Sequence, residues 1–176
     1  MTMKRRTAIR QFLFVSTGVV FMPSCLLKEK VPAQEFKNIS LTGSEELMLE
    51  ELSEVLIPRT GTPGARDISA HKFALRMVDE CSSKDERTTF ISGMKAFSKE
   101  AEKIFGKSFE KMDIESRKKF IRQVETEAPG KEAINVFYRK FRKLTIQAYS
   151  TSEFFLTKVR VYELIPGRYN GCVPAV

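Results

Sequence analysis

Few residues in this chain are able to do chemistry, and their spacing works against it. There is a single histidine, His71, and three cysteines, Cys25, Cys81 and Cys172, that lie far apart. Zinc and c-type haem sites need closely spaced ligands, yet neither C-x-x-C nor H-x-x-x-H occurs. The glycine patterns G-x-G-x-x-G and G-x-x-x-x-G-K-[ST], which would cradle phosphates, are missing as well. His71 falls on the apolar side of its helix with no acid or serine spaced to use it, so it reads as a satisfied core or surface histidine rather than a base. Glu153 follows Thr151-Ser152 with no second carboxylate placed beside it, so it reads as helix-cap chemistry rather than a catalytic acid. The expectation is a chain with no catalytic, cofactor-binding or metal-binding residues of its own.

Charge argues against another class. The 176 residues carry a net +8, of which Lys4, Arg5, Arg6 and Arg10 supply +4 in a stretch without acids. The rest is spread over interleaved acids and bases, a solvated mixed surface rather than a nucleic-acid site. The stretch Tyr138-Arg139-Lys140-Phe141-Arg142-Lys143 could meet an acidic partner, but its charges fall on the outer side of an amphipathic helix. The fourteen phenylalanines recur at helical spacing and read as core rather than as base- or cofactor-stacking groups.

Residues 1–24 pair a basic stretch with the apolar run Phe12 to Met22, the pattern of a cleaved secretory signal. That run falls short of the roughly 20 apolar residues that cross a bilayer. Arg5-Arg6-Thr7-Ala8-Ile9-Arg10 resembles a twin-arginine export motif; the other reading is an ordinary basic leader. Met22-Pro23-Ser24-Cys25 resembles a lipobox, in which Cys25 is lipidated and becomes the first mature residue; otherwise Cys25 merely lies near a cleavage site. The expected location is the periplasmic face of the cell envelope, with the chain lipid-anchored to the membrane. Residues 25–41, polar around Lys28, Glu29, Lys30 and Pro32, read as a flexible tether. The body then occupies 42–176.

Within the body the apolar period is helical throughout. A first helix starts at Ser44, or at Thr42 with Glu45 as a capping box, and ends at Pro58. Pro58 to Ala65 is a loop dense in Pro, Gly and Thr. A second helix is expected over 67–81 and a third from Ser82-Ser83 to the Gly106 stop. A fourth is capped by Asp113 and runs over 114–124, a fifth spans 131–149, and a short last one lies near 152–158. Beyond Val159 the helical period is lost, which predicts an extended arm. No run alternates long enough for a sheet, so the fold class is an all-α compact bundle of five to six helices with an extended C-terminal arm.

Three segments carry a family resemblance. Residues 51–65 (ELSEVLIPRTGTPGA), 144–153 (LTIQAYSTSE) and 162–174 (YELIPGRYNGCVP) resemble, in order, motifs of the gluconate 2-dehydrogenase subunit 3 family. Ala148-Tyr149-Ser150 departs from that family's usual Gly-Tyr-Tyr. The resemblance implies a small accessory subunit beside a large flavin-dependent sugar or sugar-acid dehydrogenase, with a cytochrome c subunit as a further partner. FAD and haem c would then belong to those partner subunits, and this chain would help the flavoprotein mature and cross the membrane. A folded-export tag on a chain with no cofactor site fits an escort of cofactor-loaded cargo. The other reading is a stand-alone envelope lipoprotein with the same fold and a binding role.

The candidate partner contacts are Pro58, Thr62, Pro63 and Gly64 in the loop, Tyr149 and Glu153 after it, and Pro166, Gly167, Tyr169, Gly171 and Cys172 in the arm. Loop and arm are stiffened by Pro and Gly and would lose little entropy on docking. Their alternative role is local turn architecture, with Gly64, Gly167 and Gly171 supplying positive φ. In an oxidising compartment Cys81 and Cys172 could pair; alternatively Cys172 packs as a small apolar group.

Overall fold

The computed structural model describes residues 36–126 and 130–160. The leader, the Cys25 lipobox, the tether up to residue 35 and the arm from residue 161 lie outside the described residues. Among the described residues all regular structure is helical: α1 (Gly43–Leu56), α2 (Ala70–Cys81), α3 (Lys84–Phe105), α4 (Ile114–Glu125) and α5 (Glu132–Ser150). A 3-10 turn (Phe109–Lys111) precedes α4, and a π turn (Phe155–Val159) follows α5.

Local chemistry accounts for most helix ends. Thr42 caps α1 in a reciprocal box: its Oγ1 accepts from Glu45 N–H at 3.3 Å, and Glu45 accepts from Thr42 N–H at 2.8 Å. Ser83 and Glu86 repeat that device at the start of α3, which stops where Gly106 turns left-handed at φ 66°. Asp113 caps α4 through Ser116 N–H at 2.9 Å. Two features differ from the sequence expectation. α2 starts at Ala70 rather than 67, because Ser69 sits in the left-handed region at φ 54° and interrupts the helical path. The short last helix lies where expected, over 153–159, but is wound as a π-helix from Phe155 to Val159.

The core is aromatic. Phe90, Phe97, Phe109, Phe120, Phe137 and Phe141 are fully buried. Phe97 is its hub, with ring centroids 4.9 Å from Phe120, 5.3 Å from Phe109 and 5.5 Å from Phe137. Burying each such ring stabilises the fold by about 1.5–3 kcal/mol. α3 and α5 form the largest helix contact, and Gly93 makes it possible. A Cβ there would lie 2.4 Å from Ala133 O and 2.7 Å from Phe137 Cβ, so only glycine lets the two backbones approach this closely.

Ahead of α1, residues 36–41 form a strap across α2. Buried Asp79 accepts hydrogen bonds from Lys37 N–H at 2.9 Å, Asn38 N–H at 2.7 Å and Ile39 N–H at 3.0 Å. Ile39 thereby enters the core beside Phe36 and Leu41. The last six residues of the stretch expected as tether are thus fixed to the body.

Candidate functional site

The sequence singles out the loop between α1 and α2, and the structure shows how such a loop is held without regular hydrogen bonding. Ala65 N–H reaches back to Ile57 O at 2.8 Å and closes its base. Two carboxylates fix its interior. Glu54 accepts from Arg59 N–H at 2.9 Å. Asp67 accepts from Gly64 N–H at 2.8 Å and from the Arg59 guanidinium at 3.2 Å. Pro58 to Thr62 are exposed at the tip, while Gly64 and Ala65 are buried at the base.

Gly64 is not at positive φ; among the described glycines only Gly106 and Gly130 are. Its role is close packing. A Cβ would fall 2.6 Å from Arg59 N, 2.9 Å from Glu54 Oε2 and 3.0 Å from Ile57 O. Gly167 and Gly171, expected to act alike, lie outside the described residues, as do Pro166, Tyr169 and Cys172. Cys81 is exposed at the end of α2, and its pairing with Cys172 falls outside them too.

Tyr149, near the end of α5, donates its hydroxyl to Pro63 O at 2.9 Å, across 86 positions of sequence. Its ring is flanked by Phe154 and Phe155, at centroid distances of 6.4 and 6.1 Å. Two of the three resembling segments, 51–65 and 144–153, are therefore tied into one corner. The apolar seam beneath it is Ala65, Ala70 and Ala148, with Ile57, Ile68 and Phe73 against it. Ala148 is buried in that seam and also borders a groove beside it.

Beside Tyr149 an open groove of about 700 Å³ runs between the start of α2 and the π turn, with Ile68, Phe73 and Phe154 as its apolar wall. Glu153 and Lys158 are exposed along its edge. Glu153 is not the cap of this corner. That role falls to Ser152, whose Oγ accepts from Phe155 N–H at 3.2 Å. Among the described residues the exposed Glu153 carboxylate has no hydrogen-bond or ion-pair partner.

Beneath the loop, Glu51 bridges two arginines, Arg66 from the loop's end and Arg117 from α4. Arg117 also donates to the carbonyls of Phe109 at 3.1 Å and Glu110 at 2.8 Å, so the end of the loop is braced, through Glu51, against the 3-10 turn and α4. Nothing in local sequence pattern marks this bridge.

His71 lies under the same corner, only 3% exposed, and its Nδ1 has no hydrogen-bond partner among the described residues. Burial, helped by the charges of Lys72 and Arg66, lowers its pKa from 6.5 to about 4, so the ring is neutral at pH 7. It is a core histidine, though not the fully satisfied one expected. Among the described residues no group of three or more His, Cys, Asp or Glu side chains could hold a metal ion. Among them, too, no helix is long and apolar enough to cross a membrane.

The described residues form a small all-α domain whose 58–65 loop is glycine-tight and tyrosine-pinned. The chain belongs to the gluconate 2-dehydrogenase subunit 3 family, whose model matches residues 44–167. That stretch contains the first two resembling segments whole and the third as far as Gly167. Neither the curated proteins nor the solved structures contain a match to the chain.

Proposed function

We propose that the protein is a non-catalytic small subunit that escorts a flavin-dependent, gluconate-type sugar or sugar-acid dehydrogenase through maturation and export. It then remains with that enzyme at the periplasmic face of the membrane, anchored by lipid on Cys25. In this reading FAD resides in the large partner, and haem c in a cytochrome subunit. Family membership supports the setting. The observation that carries the reading is the hydrogen bond from Tyr149 to Pro63 O. It joins two family-resembling segments, distant in sequence, into one exposed corner whose backbone is already set. A surface fixed before docking loses less entropy on binding.

A C-terminally tagged chain, pulled from detergent-solubilised envelopes and scanned for flavin absorbance, tests this. A yellow flavoprotein in fixed ratio to the chain is expected. A colourless, monomeric product would replace the reading with that of a stand-alone envelope lipoprotein.

A further inference from the structure

A second groove, of about 620 Å³, lies on a different face, between the strap and the first half of α3. Lys84, Arg87 and Lys95 line it together with the hydroxyl-bearing Thr88 and Ser92, and no acid is among its lining residues. Arg87 is fixed there by donating to Ser82 O at 2.6 Å and Asp79 O at 3.3 Å. The nearby Glu86 is engaged elsewhere, accepting from Ser83 N–H at 3.0 Å and lying 3.8 Å from Lys140. Lys84 and Lys95 are exposed and make no ion pair among the described residues. Arg87 acts electrostatically on the buried Asp79 carboxylate, so the net positive charge of the groove is carried by the exposed Lys84 and Lys95.

The groove's other wall decides what that charge would meet. Asn38, Ile39 and Ser40 line the groove, and these are the strap residues that Asp79 holds. Lys37, where that hold begins, is twelve positions after Cys25. Twelve residues reach at most about 40 Å even when fully extended. A lipid on Cys25 would keep the strap, and with it this groove, within that distance of the bilayer.

We propose that the Lys84–Arg87–Lys95 groove is a contact site for the phosphates of an anionic phospholipid surface, and that the Asp79 strap orients it there. The orientation rests on the lipid-anchor reading above, whereas the charge preference does not. Each basic side chain near an anionic bilayer raises partitioning roughly fivefold.

The test uses the mature chain, residues 25–176, carrying Cys25→Ser, so that neither leader nor acyl chain contributes, and sedimentation with phosphatidylcholine vesicles with and without phosphatidylglycerol. Binding is expected only when phosphatidylglycerol is present. Adding Lys84→Glu and Lys95→Glu should lower it by about a hundredfold or more, with an unchanged melting temperature. Reversing Lys111 and Lys143, exposed cations outside the groove, should cost far less. Equal loss from both pairs, or no preference for phosphatidylglycerol, would overturn the assignment. So would displacement by inorganic phosphate at constant ionic strength, which would make the groove an ion site. Labelling the wild type with radioactive palmitate reports on the anchor separately: failure there removes the lipid on Cys25 and leaves the vesicle result standing.

Discussion

The α3–α5 core and the Tyr149 corner are both built around aromatic rings, but different forces close them. In the core, Phe90, Phe97 and Phe137 are sealed, edge against face, where Gly93 lets two helix backbones meet. At the corner, Tyr149 is only half-buried, and Glu54, Asp67 and one phenolic hydrogen bond set the loop's shape. Apolar burial scales with area, so the core should carry most of the stability. Hydrogen bonds that replace bonds to water contribute about 1 kcal/mol each, so the corner's polar bonds chiefly select one conformation. If the corner docks as proposed, such a division would let its surface be tuned at little cost to folding.

Four substitutions separate the two regions. Phe97→Ala removes the hub of the aromatic cluster and should cost about 3–5 kcal/mol, seen as a large fall in the urea midpoint. Gly64→Ala forces a methyl into backbone and carboxylate at the loop's base and should cost about 1–3 kcal/mol; an unchanged midpoint would show that the loop yields freely. His71→Leu should matter only in acid. The wild-type ring is neutral when folded and takes up a proton on unfolding below pH 6.5, so stability falls as the pH drops from 6.5 towards about 4. At pH 5 that loss is about 2 kcal/mol, and the leucine variant should lack it; melting curves at pH 7 and pH 5 give the comparison. The smallest effect belongs to Tyr149→Phe, about 1 kcal/mol, with faster amide exchange confined to residues 58–65.

Much of the core was legible in sequence because its signals are local. Thr42 with Glu45, Ser83 with Glu86, Asp113 and Gly106 mark helix ends within three or four positions, and the phenylalanines mark the buried faces by their period. The corner was legible only as two separate segments. The bond from Tyr149 to Pro63, the Glu51 bridge and the Asp79 strap each join residues at least 15 positions apart, and such contacts impose no repeat on the chain. Gly64 misleads for a related reason. A glycine kept for close approach looks, in sequence, the same as one kept for positive φ. The start of α2 was placed at 67 rather than 70 because left-handed Ser69 carries no local signal, and Asp67 is committed to Gly64 and Arg59.

The docking role proposed for the corner is best judged by flavin bound per chain after purification from solubilised envelopes, for the wild type and for Thr62→Arg, which places a bulky charge at the exposed tip. The expected result is a constant flavin ratio in the wild type and its loss in the variant, with the melting temperature of the isolated chain unchanged. A wild type that carries no flavin, or a variant that keeps the full ratio, would contradict the account.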